Sequence, residues 1–232
     1  MMEDCRPMKA IRTVKNFYVL SCFFLTWLCG FLASAAAVES GGAVVSAARS
    51  KGGQKLVILG DSLTEGYGVA QTSAFPALIE KKIQLSGKKW QVINSGVGGS
   101  TTGSAPSRMK WILRAKPDLI LLFLGANDGL RGIKVAESEK NLAAAIALAK
   151  QASVKLVLGG LYMPPNYGED YRTKFEKMYV DLAKDQSVRL IPFILKDVAG
   201  ESKLNLADGI HPNEEGHKIM AENVYAAIKD LL

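Results

Sequence analysis

Short apolar runs alternate with longer amphipathic stretches along the chain from residue 55 onward. Runs of a few apolar residues that end in glycine or polar residues are typical of strands in a parallel sheet covered on both faces. The most apolar of these runs, Leu119–Leu124, has the pattern of a central strand. The predicted strands are Lys55–Leu59, Trp90–Asn94, Leu119–Leu124, Lys155–Leu158 and Val188–Ile191.

The stretches between these runs have the period of amphipathic helices. In one of them Leu142, Ile146 and Ala149 recur at intervals of three and four residues, which places them on one helix face. The predicted helices are Ala74–Ser86, Ser107–Ala115, Ser138–Ala152, Tyr171–Asp185 and Glu214–Leu232. Alternating strands and helices predict an α/β fold with right-handed crossovers and a five-stranded parallel sheet. Such sheets bind ligands at the carboxyl ends of their strands.

The first 37 residues have the pattern of a secretory signal peptide. Basic residues between positions 9 and 15 precede the uncharged run Phe17–Ala37, which ends in Ala-x-Ala patterns. Translation from Met8 instead of Met1 would omit an acidic prefix that is unusual in such peptides. An uncleaved membrane anchor is the alternative, because the run is long enough to span a bilayer. Residues 38–53, rich in Gly, Ala and Ser, are a predicted flexible linker, and residues 54–232 are the predicted folded domain.

Composition narrows the possible classes of protein. With 232 residues, 48% of them hydrophobic and 22% charged, the chain suits one globular domain. The net charge of +7 is scattered without a basic stripe, so we expect no nucleic-acid partner. Cys5, Cys22 and Cys29 all precede the predicted domain, which excludes a disulfide or a cysteine zinc site within it. We expect neither a metal nor another cofactor, because His211 and His217 lack a ligand pattern. His217 is predicted to lie on the surface of the last helix.

Four polar clusters lie at the predicted strand ends or just before the last helix. In chain order they supply a serine, several glycines, an asparagine and an Asp/His pair. Each alone has a simpler explanation, because Asp and Ser cap helices and Asn-Asp-Gly sequences form ordinary turns. The clusters are Gly60–Thr64, Asn94–Thr102, Gly125–Gly129 and Asp208–Pro212.

Together the clusters contain the groups that acyl transfer requires. The Ser62 hydroxyl is a weak nucleophile that needs a base, and His211 can be that base. The carboxylate of Asp208, three residues earlier, can accept the Nδ1–H of His211 and leave Nε2 free to take the serine proton. Asn127 can donate a hydrogen bond to the developing oxyanion. The Gly-x-Ser-x-Gly pattern of α/β-hydrolases is absent, because Thr64 replaces its second glycine.

These clusters resemble the sequence blocks of the SGNH (GDSL) hydrolase family over essentially the whole predicted domain. The resemblance implies a flavodoxin-like three-layer α/β/α sandwich with Ser62, Asp208 and His211 as catalytic residues. It also implies an oxyanion hole formed by the N–H groups of Ser62 and Gly99 and the side chain of Asn127. The family often has an aspartate where this chain has Ser100. The matching residues are Gly60-Asp61-Ser62-Leu63, Gly99, Gly125-Ala126-Asn127-Asp128 and Asp208-x-x-His211.

Within that family, two loops at residues 127–132 and 165–168 resemble those of small periplasmic esterases that hydrolyse acyl-CoA thioesters, lysophospholipids and aryl esters. We therefore expect an exported, periplasmic serine esterase whose substrate is a small acyl ester or thioester. A carbohydrate O-acetylesterase and a non-catalytic binding protein are the alternatives. Apolar residues near the cleft loops either line an acyl groove or pack in the core. The residues predicted to bind substrate are Leu130, Ile133, Met163 and Tyr167, with Leu161 and Tyr162 beside them.

Overall fold

A computed structural model describes residues 53–232. The predicted signal peptide, residues 1–37, and residues 38–52 of the predicted linker lie outside the described residues. Every predicted strand is present, with ends shifted by at most two residues. The strands are β1 (Gln54–Gly60), β2 (Trp90–Gly96), β3 (Leu119–Phe123), β4 (Lys155–Gly159) and β5 (Arg189–Ile191).

The five strands form one parallel sheet in the order β2-β1-β3-β4-β5. Because β2 and β3 pair with opposite sides of β1, the chain reverses direction across the sheet at β1. Such a reversal opens a crevice at the carboxyl ends of the strands. The register brings Gly60, at the end of β1, opposite Gly96 of β2 and Phe123 of β3. The predicted α/β fold with a five-stranded parallel sheet is confirmed.

Helices flank this sheet in the predicted three-layer arrangement. Two short helices that the sequence did not predict, α1 (Ser62–Glu65) and α4 (Ala126–Leu130), follow β1 and β3. With four and five residues they are too short to show a hydrophobic period. No helix within residues 53–232 is long and apolar enough to cross a membrane. The helices are α1 (Ser62–Glu65), α2 (Phe75–Leu85), α3 (Ala105–Ile112), α4 (Ala126–Leu130), α5 (Val135–Gln151), α6 (Glu169–Asp185) and α7 (Glu214–Ile228).

The core lies on the two sides of the central strands. Every side chain from Leu119 to Leu124 is buried, as its continuous apolar sequence predicts. Helix α2 packs against α7, and α5 packs against both α3 and α6. The last helix is capped by Asn213, whose side chain accepts the N–H groups of Glu215 and Gly216 at 3.1 Å each. An N-cap of this kind stabilises a helix by about 1 kcal/mol.

The prediction that His217 lies on the surface is wrong. Its side chain is only 1% exposed, and its Nδ1 accepts the N–H of Phe75, the first residue of α2, at 3.3 Å. The residue shares the buried face of α7 with Met220 and Val224, three and seven positions along. Burial, with a smaller contribution from His211, lowers the pKa of His217 to about 4. The neutral ring therefore helps to join α7 to α2.

Candidate active site

The serine of the Gly-Asp-Ser-Leu block, Ser62, is the first residue of α1 and comes directly after β1. The preceding Asp61 caps this helix by accepting the N–H of Leu63 at 3.0 Å. Gly66 ends the helix after one turn with a φ of 86°, and a Cβ there would lie 2.5 Å from the Cβ of Ala74. Glycine is therefore required at this turn. The short helix holds Ser62 at the carboxyl end of β1.

The Asp208–His211 turn brings an imidazole to this serine from the other end of the chain. Nε2 of His211 lies 3.0 Å from Oγ of Ser62, and Nδ1 lies 2.8 Å from Oδ2 of Asp208. The other oxygen of Asp208 accepts the N–H groups of Ile210 and His211 at 3.0 Å each. These backbone bonds, helped by the imidazole, lower the pKa of Asp208 to about 2. The ionised carboxylate favours a proton on Nδ1, which leaves Nε2 as the acceptor for the serine hydroxyl.

An aromatic ring that the sequence analysis did not identify covers this histidine. The centroid of the Tyr67 ring lies 4.6 Å from that of the His211 ring, and the two planes are tilted by 42°. The backbone N–H of Tyr67 donates to the carbonyl of Ser62 at 3.1 Å. Tyr67 therefore contacts both members of the Ser62–His211 pair. Its position between two glycines, five residues after the serine, is the one local signal that could have drawn attention to it.

Asn127 lies in the first turn of α4, and its side chain lines the same cavity as Ser62 and His211. One N–H of its amide donates to the carbonyl of Ser100 at 3.1 Å. An amide carries two N–H groups, so a second donor remains. The bond to Ser100 fixes the plane of the amide and therefore the direction of that second donor.

Gly99 precedes Ser100 in the same loop, with a φ of 73°, but does not line the cavity. Its carbonyl accepts from Arg131 at 3.1 Å. Among residues 53–232, no hydrogen bond occupies the N–H of Gly99 or that of Ser62. Both donors remain available at the loop and at the start of α1. The structure thus brings Ser62 and Asn127 to the cavity and places Gly99 beside it.

A buried carboxylate joins this loop to the helices behind it. Asp128, next to Asn127, is 1% exposed and accepts the N–H of Thr102 at 2.8 Å. It also accepts the hydroxyl of Thr102 and, at 3.0 Å, that of Ser138 in α5. These three hydrogen bonds satisfy both oxygens of the buried carboxylate. It holds α4 and the glycine-containing loop in a fixed relation.

Behind Ser62 lies a second buried acid whose environment is different. Asp61 is 1% exposed, and its Oδ2 has no hydrogen-bond partner within the described residues. Burial raises the pKa of Asp61 to about 6, although the Leu63 N–H and the charges of His211 and Arg108 oppose the rise. Arg108 donates to the carbonyls of Gly60, at 2.9 Å, and Ser95. Its charge therefore lies at the ends of β1 and β2, close to the acid.

An apolar cavity of about 440 Å³ opens beside Ser62 and His211. Leu130 and Met163, two of the predicted substrate-binding residues, line it, as do Leu161 and Tyr162. The sequence analysis did not identify several lining residues that come from the segments after β4 and β5. These are Pro164, Pro165, Phe193, Leu195 and Ile210.

The two remaining predicted substrate-binding residues, Ile133 and Tyr167, lie outside the cavity lining. The hydroxyl of Tyr167 donates to the carbonyl of Leu130 at 3.1 Å, so this ring braces the end of α4. The carbonyl of Ile133 accepts from the hydroxyl of Tyr171 in α6 at 2.9 Å. Through these polar bonds both residues join α4 and the loop after it to the segment around α6.

No group of three or more His, Cys, Asp or Glu side chains within residues 53–232 is arranged to hold a metal ion. The chemistry that these residues can perform is acid–base and nucleophilic. A serine, an imidazole with an ionised partner, an oriented amide and an apolar cavity suit acyl transfer.

Comparison with known proteins agrees with this chemistry. The sequence model of the GDSL-like lipase/acylhydrolase family matches residues 58–219, more than half of the chain. The chain belongs to this family. It is 38% identical over 178 residues to an arylesterase of Vibrio mimicus, covering 76% of this chain and 89% of that protein. It is 34% identical over 175 residues to thioesterase 1/protease 1/lysophospholipase L1 of Escherichia coli, covering 75% of this chain and 83% of that protein.

The fold of this GDSL-family chain is shared by solved structures. The crystal structure of TesA matches it with a TM-score of 0.75 at 34% identity, covering 77% of this chain and 100% of that chain. Family membership and these relatives identify the chain as an ester-hydrolysing serine hydrolase. The alternative of a non-catalytic binding protein is therefore set aside.

Proposed function

We propose that this GDSL-family esterase uses Ser62 as its nucleophile, His211 as general base and Asp208 to orient His211. The proposal rests on two consecutive hydrogen bonds. The Ser62 hydroxyl lies 3.0 Å from Nε2 of His211, and Nδ1 of the same ring lies 2.8 Å from Oδ2 of Asp208. Both distances lie within the reach that general-base activation of a serine needs.

In the first half of the reaction, Oγ of Ser62 attacks the carbonyl carbon of the ester while its proton passes to Nε2 of His211. The carbonyl oxygen becomes an oxyanion. The tetrahedral adduct then collapses, the bond to the leaving oxygen or sulfur breaks, and His211 donates its proton to that leaving group. Asp208 stabilises the imidazolium formed between these two proton transfers. The products are an acyl-Ser62 enzyme and a free alcohol or thiol.

The oxyanion would be held by the amide of Asn127 and the N–H groups of Ser62 and Gly99. The free N–H groups support this assignment, as does the Asn127–Ser100 bond, which orients the amide in advance. Donors fixed before the reaction need no reorganisation when the charge develops, and they strengthen as it grows. In the second half of the reaction, His211 takes a proton from water while the water oxygen attacks the acyl carbon. The bond from that carbon to Oγ of Ser62 then breaks, His211 returns the proton to Oγ, and the free carboxylic acid leaves.

The substrate class is an ester or thioester with an apolar acyl group, which the 440 Å³ cavity would bury. Burying each methylene contributes about 0.8 kcal/mol. Aryl esters, acyl-CoA and lysophospholipids carry such groups. They are the first substrates to test, because two relatives of this chain are an arylesterase and a thioesterase/lysophospholipase. An O-acetylesterase for carbohydrates is less well supported, because an acetyl group would leave most of the apolar cavity empty.

We also propose that the chain is exported, with cleavage near Ala35 or Ala37. The basic start, the apolar run and the Ala-x-Ala patterns support this proposal. Location in the periplasm would follow. N-terminal sequencing of the mature protein tests it, and a mature chain that begins at Met1 or Met8 would refute both cleavage sites.

The catalytic proposal is tested by hydrolysis of p-nitrophenyl esters, palmitoyl-CoA, lysophosphatidylcholine and acetylated xylan. The native protein should hydrolyse one or more of the first three, whereas Ser62→Ala should have no activity at an unchanged melting temperature. An organophosphonate should label Ser62 alone. Labelling of another serine, or full activity of Ser62→Ala, would remove Ser62 from the mechanism. Activity confined to acetylated xylan would identify an O-acetylesterase instead.

A further inference from the structure

Two aromatic rings stack face to face at the side of the cavity that is lined by the segments after β4 and β5. The rings of Tyr162 and Phe193 are 4.3 Å apart between centroids, with 10° between their planes. Tyr162 follows β4 by three residues and Phe193 follows β5 by two, so the pair bridges the two segments that leave the sheet there. Both rings line the 440 Å³ cavity.

The backbone holds these two segments against each other. The N–H of Gly160 donates to the carbonyl of Ile191 at 2.8 Å, and the N–H of Ile194 donates back to the carbonyl of Gly160 at 3.1 Å. A Cβ at Gly160 would lie 2.3 Å from the carbonyl oxygen of Pro192, so only glycine permits this approach. The rings are therefore held in position by the fold.

A second cavity of about 300 Å³ also has Tyr162 in its lining. Its lining comes mainly from α6 and includes Thr173, Glu176, Lys177 and Val180. Tyr162 lines both cavities, which places its side chain between them. Tyr162 thus separates the apolar cavity that begins at Ser62 from the second cavity, and Phe193 stacks on it from within the first.

The pair also lies far from the reacting serine across the sheet. Ser62 follows β1, and β5 is three strands away in the order β1-β3-β4-β5. Three strand spacings amount to about 14 Å. An acyl chain attached to Ser62 that runs along the carboxyl edge of the sheet would meet the two rings at its far end.

We propose that the stacked rings of Tyr162 and Phe193 form the end wall of the acyl cavity and set the longest acyl chain that the enzyme hydrolyses efficiently. This inference rests on the proposed function, because it assumes that the acyl group of a Ser62-bound ester lies in the cavity. Each methylene buried before the wall raises kcat/KM, by about fourfold if its full transfer free energy is gained. A longer chain meets the rings and gains nothing more.

The chain offers a matched pair of variants for the test. Tyr162 is 44% exposed, so removing its ring costs little packing, and its hydroxyl takes part in no hydrogen bond among the described residues. Tyr162→Ala opens the first cavity to the second. Tyr162→Phe keeps the stacked ring and removes only the hydroxyl. Phe193→Ala removes the other half of the wall.

The measurement is kcat/KM for p-nitrophenyl esters from acetyl to palmitoyl, on the native protein and the three variants. The native profile should rise with acyl length and then fall. Tyr162→Ala should move the maximum to longer chains by two or more methylenes, raising the ratio of long-chain to short-chain kcat/KM by about tenfold or more. Phe193→Ala should move it in the same direction, and Tyr162→Phe should keep the native profile.

If Tyr162→Ala and Phe193→Ala are active and keep the native dependence of kcat/KM on acyl length, the proposal that the two rings form the end wall is wrong. A shift as large in Tyr162→Phe as in Tyr162→Ala would also overturn it, because the hydroxyl and not the ring would then set the limit. Failure of the native protein to hydrolyse any ester in the series would instead overturn the proposed function, and the wall with it. Short-chain activity of the native enzyme therefore separates the two failures.

Discussion

The side-chain amide of Asn127 donates one N–H to the carbonyl of Ser100 at 3.1 Å while its side chain faces the cavity that holds Ser62. This bond ties α4 to the loop that contains Gly99. It also means that the amide is oriented before any substrate arrives. Asn127 is therefore a fixed donor, as an oxyanion-binding group must be, and its replacement should affect the transition state more than substrate binding.

We expect Asn127→Ala to lower kcat by a factor on the order of 10²–10³ with little change in KM, because the lost hydrogen bond is strong only in the transition state. Asn127→Asp should be at least as damaging, since it places a negative charge where a donor is needed. Steady-state kinetics measures both effects, with circular dichroism as the control for folding. A folded and fully active Asn127→Asp enzyme would show that Asn127 serves only the turn.

Asp208→Asn should keep the turn and disable the base. Its Oδ1 can still accept the N–H groups of Ile210 and His211, so its amide NH₂ must face Nδ1 of His211. That arrangement forces the proton of the neutral ring onto Nε2, which can then no longer accept the serine proton. We expect kcat to fall by a factor on the order of 10⁴.

The melting temperature of Asp208→Asn is the control, and it should stay close to that of the native protein. Because the pKa of Asp208 is about 2, its carboxylate is ionised in the native enzyme at neutral pH, where the two proteins are compared. Near-native activity of Asp208→Asn would contradict the role proposed for the carboxylate.

His217 should make the fold sensitive to acid. Its pKa is about 4 in the folded protein and 6.5 in a model peptide, so between these values the unfolded chain binds the extra proton. Its contribution to stability is therefore complete above pH 6.5 and declines as the pH falls towards 4, by up to about 3 kcal/mol. His217→Asn keeps an acceptor near the N–H of Phe75 and removes the titration.

Urea unfolding of the native protein and His217→Asn at pH 4.5 and pH 7.5 measures this effect. We expect the free energy of unfolding to fall less steeply with acidification in the variant, while Ser62-dependent activity remains. An equal loss in both proteins would show that His217 does not titrate in this range.

Asp61 should have the opposite effect on stability. Its folded pKa of about 6 lies above the model value of 3.8, so the folded protein holds the extra proton between these values. The stability that the protonated carboxyl contributes is complete below pH 3.8 and is lost as the pH rises through 6. The free energy of unfolding of Asp61→Asn should therefore rise relative to that of the native protein between pH 4 and pH 8, by up to about 3 kcal/mol.

Chemical denaturation across that range, with native protein and Asp61→Asn in parallel, gives the difference directly. Asn keeps the acceptor for the N–H of Leu63, so capping of α1 is preserved in the comparison. A difference in unfolding free energy that does not change with pH would mean that the buried carboxyl does not titrate as its surroundings indicate.

Local pattern in the sequence determined the sheet and singled out the groups that we propose react. Strands such as Leu119–Phe123 are visible because burial on both faces demands a continuous apolar run. Asp208 and His211 are three residues apart, so their partnership can be inferred from one short turn. The family blocks made Ser62 and Asn127 candidates for the same reason, because each block is a contiguous stretch of sequence at a strand end.

Tertiary structure alone decided which side chains from distant segments face one another. Ser62 and His211 are 149 positions apart and meet because β1 and the last turn open onto the same edge of the sheet. His217 is buried because α7 packs on α2, whereas its residue type predicts a polar surface. Tyr162 and Phe193 form a wall because β4 and β5 are neighbours, while Tyr167 braces α4 from outside the cavity. Strand order and helix packing set these contacts, and neither depends on the local periodicity that a sequence displays.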